Sequence, residues 1–175
     1  MKQDPLNPSP LTKLKLLALV SGPILALDLA TKAWVLANLP LGGGFTVIPG
    51  FFDITHVHNP GGAFGFLAGL GAEVRMLLFV AVALAAIALV LVFYWQTPAA
   101  ERATAFGLAL VLGGAVGNLV DRLRFGVVVD FLDVYAGELH WPAFNVADSA
   151  ITVGVVMIAV RMLLQKQPPA ECPKP

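Results

Sequence analysis

"MLLFVAVALAAIALVLVFYWQTPAA", residues 76–100, runs from end to end without a charged side chain. A helix of a soluble domain needs only an apolar stripe, whereas crossing a bilayer takes about 20 predominantly apolar residues in succession. The stretch reads as a membrane span. After the interruption Pro98-Ala-Ala-Glu-Arg102 a second charge-free run covers residues 103–120. The first apolar run, residues 16–39, spans only if Asp28 and Lys32 are accepted within it, and the last, residues 146–164, only if Asp148 is. With both accepted, the sequence predicts a mainly α membrane protein with four transmembrane helices at about 16–39, 74–96, 103–120 and 146–164. These form a single integral membrane domain over residues 1–175, and the Pro-rich tails, 1–12 and 167–175, are expected to be disordered. An N-terminal section with Lys13 and Lys15 before an apolar run also suits a signal peptide, but no small-residue cleavage site precedes a soluble domain, so the first run is read as a helix that stays.

Composition agrees, with 58% hydrophobic and 13% charged residues, more apolar than one soluble core requires. The formal net charge of +0 excludes the basic surface that would hold a nucleic-acid partner. The single cysteine, Cys172, excludes an internal disulfide and a cysteine-based zinc cluster.

Orientation follows from the basic residues. With the N-terminus inside, Lys2, Lys13, Lys15, Arg102, Arg161, Lys166 and Lys174 fall on the cytoplasmic side, and only Arg75, Arg122 and Arg124 fall outside. Both termini are then cytoplasmic, and the connections 40–73 and 121–145 face outward. Asp28, Lys32, Asp121, Arg122 and Asp148 all gather at that outer face. In the first connection, "LGGGFTVIPGFFDITHVHNPGGAFGF" (residues 41–66), β-branched and aromatic residues nearly alternate between Gly and Pro turns, which predicts short strands. Phe45, Phe51, Phe52, Phe64 and Phe66 suit a small sheet resting on the headgroup boundary, or an anchored loop.

Each polar group has a structural and a chemical reading. Asp28 and Lys32, at i and i+4, can neutralise one another and lock helices together. In "GGAVGNLVDR" (residues 113–122), Gly113, Gly114 and Gly117 permit close helix approach, Asn118 and Asp121 share a face, and Arg122 can pair with Asp121 or a lipid phosphate. Asn145 is a candidate N-cap for the last helix with Asp148 at N3. Capping does not explain Asp130 in "VVVDF" (residues 127–131), a carboxylate after three β-branched residues at membrane depth. Two carboxylates delivered to one enclosed site from different segments cannot both ionise, and a proton-sharing pair can hydrolyse an amide without metal or covalent intermediate. The β-branched run favours an extended segment in which Asp130 faces the pocket and Phe131 faces lipid or the covering loop, while Asp133 stays hydrated near the turn.

"DLATKAWV" (residues 28–35), "HNPGGAFGF" (58–66), "GGAVGNLVDRLRFGVVVDF" (113–131) and "FNVADSAI" (144–151) resemble, in order, the motifs of bacterial lipoprotein signal peptidase, signal peptidase II. The resemblance implies four transmembrane helices with a small periplasmic β-cradle and an interfacial loop or helix. It implies an aspartic endopeptidase of the bacterial inner membrane, active near the periplasmic face. Its substrates would be diacylglyceryl-modified prolipoproteins, cut just before the lipidated cysteine of the lipobox. Asp130 and Asp148 match the catalytic pair; Asp28, Lys32, Asn59, Gly61, Asn118, Asp121, Arg122 and Asn145 match positions that support the pocket and substrate binding. No cofactor or metal is implied, and the expected partners are prolipoprotein substrates and membrane lipids, with the chain a monomer. Pro60 and Gly62 depart mildly from the motif.

The same residues admit other chemistries. A serine hydrolase would need a base for Ser149 and has no G-x-S-x-G stretch; a zinc site would have to recruit His56, His58 and His140 without H-E-x-x-H. A proton-coupled carrier should show ionisable groups at several depths, and the inner halves of the spans have almost none. A lipoprotein-binding chaperone would use the same pocket without cleavage.

Overall fold

The computed structural model describes residues 10–61 and 71–164. In chain order these form α1 (Pro10–Asn38), β1 (Gly44–Ile48), β2 (Phe52–Asn59), α2 (Ala72–Gln96), α3 (Arg102–Phe125), β3 (Val128–Ala136), β4 (Leu139–His140) and α4 (Val146–Leu164). All four helices are long and apolar enough to cross a membrane.

Helix boundaries depart from the hydropathy spans for local reasons. α1 starts at Pro10, inside the tail expected to be disordered at 1–12, because proline suits the first helical position. The remaining tail residues of that expectation lie outside the described residues. α3 does not stop where the charges begin at Asp121. It runs to Phe125, with Arg122 and Arg124 in a last turn whose partial negative charge they complement, and ends at Gly126 in the left-handed region, φ 73°.

α3 is the central helix. Its buried face includes Gly107, Gly113, Gly114 and Gly117, while α2 buries only Tyr94 and leaves its apolar surface to face outward. A Cβ on Gly107 would meet the carbonyl of Gly154 on α4, and one on Gly154 would meet the carbonyl of Gly107, so these two helices cross backbone against backbone. At one end of the bundle Leu17, Tyr94, Leu108, Ala109 and Leu112 form an apolar cluster; at the other, Val35 of α1 packs on Val129 and Phe131 of β3. The buried polar residues of α1 and α3, Asp28, Lys32, Asn118 and Asp121, come between these clusters along both helices.

The strands form one antiparallel sheet in the order β1-β2-β3-β4. β2 and β3 pair although α2 and α3 separate them in sequence, with Val57 opposite Asp130 and Asn59 opposite Val128. The two long connections thus meet at the same end of the bundle. Strand alternation does turn Asp130 and Phe131 to opposite faces, but the Phe131 ring faces neither lipid nor a covering loop. It is buried on Val35, because the end of α1 covers that face of β3. Gly62, Phe64 and Phe66 lie outside the described residues.

Candidate active site

The site is assembled from the outer ends of α1, α3 and α4 and from β2 and β3. Lys32 is its hub. The ammonium lies 2.8 Å from Asp28 Oδ2 and 3.0 Å from Asp121 Oδ2, and donates to Asn118 Oδ1 at 3.0 Å, which occupies all three of its N–H bonds. Both carboxylates also reach neighbouring elements. Asp28 Oδ1 accepts the N–H of Ala147 in the first turn of α4 (2.9 Å), and Asp121 Oδ2 accepts the N–H of Val129 in β3 (3.1 Å). Lys32, Asp28 and Asp121 are almost wholly buried, so the charge triad is also a joint between three helices and the sheet. A Cβ on Gly117 would run into the Asp28 carboxylate, which is why α3 carries glycine beside the joint.

Above the triad two asparagines set the directions of the remaining carboxylates. Asn118 Oδ1 faces donors from Lys32 and Asn145, so its amide N–H points the other way and donates to Asp148 Oδ1 at 2.7 Å. Asn145 caps α4: its Oδ1 accepts the Asp148 N–H (2.9 Å) and Asp148 Oδ2 accepts the Asn145 N–H (3.3 Å), a reciprocal capping box. Its amide N–H is thereby left to donate to Asp130 Oδ1 at 2.7 Å. Asn145 thus both caps α4 and ties the Asp130 carboxylate to the helix that carries Asp148.

Asp130 takes a second hydrogen bond at Oδ2 from Asn59 Nδ2 (3.0 Å). Asn59 is oriented in turn by the N–H of Gly61, which donates to its Oδ1 at 2.9 Å. Gly61 adopts φ 84°, and a Cβ there would collide with the Phe79 ring, so the position is closed to other residues on both counts. Asp130 is 1% exposed, whereas Asp148 is half-buried. Burial, reinforced by the nearby Asp148 charge, pushes the Asp130 carboxyl up to about 7 against the lowering effect of the two amide donors. The enclosed member therefore keeps a proton up to about pH 7.

The structure brings together Asp28, Lys32, Asn59, Gly61, Asn118, Asp121, Asp130, Asn145 and Asp148 in one hydrogen-bonded and ionic network. Arg122 stands at its edge and corrects an expectation. Successive helical residues diverge by about 100°, so Asp121 turns to Lys32 and Arg122 does not pair with it. The guanidinium instead donates to the Asn118 carbonyl (3.3 Å) and lies 5.4 Å over the Phe79 ring. Among the described residues it forms no ion pair, and its charge acts through space on Asp148 and Asp130.

Asp133 is separate from this network, but it is not simply hydrated: its Oδ2 lies 2.9 Å from Nδ1 of His140, whose ring stacks on Tyr135 at 4.7 Å. Asp133 lies opposite Asp53 in the β2–β3 register, and Asp53 accepts a hydrogen bond from the Tyr135 hydroxyl (3.1 Å). The sequence offered a signal for His140 in the turn residue Gly137, which folds β4 back onto β3 and sets His140 opposite Tyr135. His56 and His58 contact each other at 3.2 Å while His140 is held by Asp133, so the three histidines do not converge on one centre. Ser149 donates to the Asn145 carbonyl within its own helix.

Among known proteins, the family model for signal peptidase (SPase) II matches residues 20–164. The lipoprotein signal peptidase of Desulforapulum autotrophicum is 53% identical over 87% of this chain and 94% of its own length, and that of Syntrophus aciditrophicus is 49% identical over the same shares. A solved bacterial membrane enzyme superposes with a TM-score of 0.77 at 28% identity, covering 92% of this chain and 98% of its own. With four apolar spans and this match through nearly all the described residues, the chain is a multi-pass membrane peptidase that belongs to the signal peptidase II family.

Proposed function

We propose that the chain cleaves diacylglyceryl-modified prolipoproteins immediately before the lipidated cysteine, with Asp130 and Asp148 as the catalytic pair. The observation that carries this reading is the asymmetric coupling of the two carboxylates. Asp130 is enclosed and keeps its proton up to about pH 7, whereas Asp148 lies half-open at the positive end of α4 with an amide donor from Asn118. Asp148 as carboxylate removes a proton from water, whose oxygen attacks the scissile carbonyl carbon. Asp130 gives its proton to the carbonyl oxygen. As the tetrahedral intermediate collapses, the proton gained by Asp148 passes to the departing nitrogen, the C–N bond breaks, and the intermediate's hydroxyl proton returns to Asp130.

Asn118 and Asn145 aim the pair, Asn59 with Gly61 closes it from the sheet side, and Asp28, Lys32 and Asp121 hold the elements in place. Arg122, without an ion-pair partner among the described residues, is available to polar groups of the substrate. The basic ends of the helices support an inner-membrane protein with both termini cytoplasmic, the sheet periplasmic, and the chain a single-domain monomer among membrane lipids. The deciding experiment incubates purified protein in detergent with a diacylglyceryl-modified lipobox peptide. Cleavage before the modified cysteine, absent with the unmodified peptide, is expected; binding without cleavage would show a chaperone instead.

A further inference from the structure

At the end of the bundle away from the carboxylates, a cleft of about 670 Å³ opens among all four helices, lined by Lys13, Leu16, Tyr94, Arg102, Phe106 and Met157 together with small residues. Lys13 lies about 28 Å along α1 from Lys32 at ~1.5 Å per residue, so this space is no part of the site described above. Its volume falls within the about 300–1,000 Å³ of small-molecule sites.

The lining is mostly apolar, its charged side chains are Lys13 and Arg102, and among the described residues it includes no carboxylate. The acid of the α2–α3 connection, Glu101, is drawn aside by the Thr104 hydroxyl at 2.9 Å and by Arg161 at 3.6 Å. Lys13 donates to the carbonyls of Trp95 and Thr97, both at 2.9 Å, which leaves one ammonium N–H. Arg102 is exposed and forms no hydrogen bond or ion pair among the described residues. It begins α3, one of the four membrane-crossing helices, and so stands at the boundary where headgroups lie.

We propose that this cleft binds one anionic phospholipid of the adjacent leaflet. Its phosphodiester meets Arg102 and the free N–H of Lys13, and an acyl chain lies against Leu16, Phe106 and Met157. A water-soluble anion would use only Lys13 and Arg102 and leave the apolar lining empty, and a zwitterionic lipid would bring its own cation to a surface that is already positive. The bound lipid would tie the inner ends of α1, α3 and α4 together. This rests on the membrane architecture and not on the proposed cleavage.

The full chain, purified in a nonionic detergent, is titrated with phosphatidylglycerol or phosphatidylcholine of matched acyl chains, reading the thermal melt and the lipid retained in native mass spectrometry. Phosphatidylglycerol should raise the melt saturably with one lipid retained, and phosphatidylcholine should not. Arg102→Gln should need about fivefold more phosphatidylglycerol, as befits one lost basic contact to an anionic lipid, with its lipid-free melt unchanged. Ala103→Trp, at an exposed position on the cleft wall, should block the acyl chain and abolish the response. Equal responses to the two lipids, or a phosphatidylglycerol response intact in both variants, would overturn the proposal. So would an equal shift from soluble glycerol phosphate.

Discussion

Under the proposed mechanism, Asp130 is both a stability liability and the centre of the chemistry. Its carboxyl titrates near 7 instead of 3.8, so between those values the folded chain binds a proton that the unfolded chain releases. Stability contributed by this group is therefore full below about pH 3.8 and declines as pH rises through 7, a loss of at most about 4 kcal/mol. Asp130→Asn removes that dependence. Its amide oxygen can still accept from Asn145, and exposed Asn59 can turn to water, so the variant should melt near wild type in acid and at or above it at pH 8. Cleavage should nonetheless be abolished in Asp130→Asn and in Asp148→Asn, while Asp133→Asn, which weakens only the His140 pair, should keep most activity. Full activity in Asp130→Asn, or its loss in well-folded Asp133→Asn, would mean the wrong carboxylate has been chosen. The rate should also fall above about pH 7 as the pair loses its shared proton, a limb that the melt and the cleavage assay can follow together. That Asp130 and Phe131 turn to opposite faces was legible because Val127-Val128-Val129 announces an extended segment. The partners of Asp133 and Arg122 were not, since they depend on strand register and helix rotation that sequence spacing leaves open.

At the scale of the elements, the joint around Lys32 decides whether the helices meet correctly. Removing the ammonium leaves Asp28 and Asp121 facing each other's charge in a buried site, so Lys32→Ala should lower stability by about 3–5 kcal/mol. A thermal melt of Lys32→Ala indistinguishable from wild type would contradict the joint. Gly114→Val tests the neighbouring contact. A Cβ there would meet the Ala147 carbonyl of α4 and Ile151 Cγ1. The overpacking should cost about 1–3 kcal/mol, seen as a lower melt with the cleft between α3 and α4 forced apart. The second and third helices were plain from hydropathy, because bilayer thickness imposes a length that chance rarely reaches, whereas the first and last had to be read through Asp28, Lys32 and Asp148. Their ends were less so. Hydropathy stops at charge, whereas α3 stops at its left-handed Gly126, one turn beyond Asp121. The glycines at 113, 114 and 117 could be read as contacts because they cluster, but Gly107 and Gly154 stand alone in sequence and become a pair only when α3 crosses α4.

For the molecule as a whole, the pairing of β2 with β3 carries the topology. The partners are separated by α2 and α3, so nothing local in sequence reveals them. Once paired, they require that the helical hairpin leave and return at the same end, with the 97–101 connection at the other. Asp130 and Asp148 then lie at the sheet end, while Lys13, Lys15, Arg102 and Arg161 mark the opposite end. The excess of basic residues should hold that opposite end in the cytoplasm. Alkaline phosphatase, active only outside the cytoplasmic membrane, should therefore be inactive when fused after residue 100 and active when inserted at the Gly137 turn between β3 and β4. A cytoplasmic reporter should give the reverse pattern. Because the proposed reaction is placed at the periplasmic face, the orientation also bears on the chemistry. An active phosphatase after residue 100 with an inactive one at residue 137 would put both carboxylates on the cytoplasmic side and remove the proposed substrate from their reach.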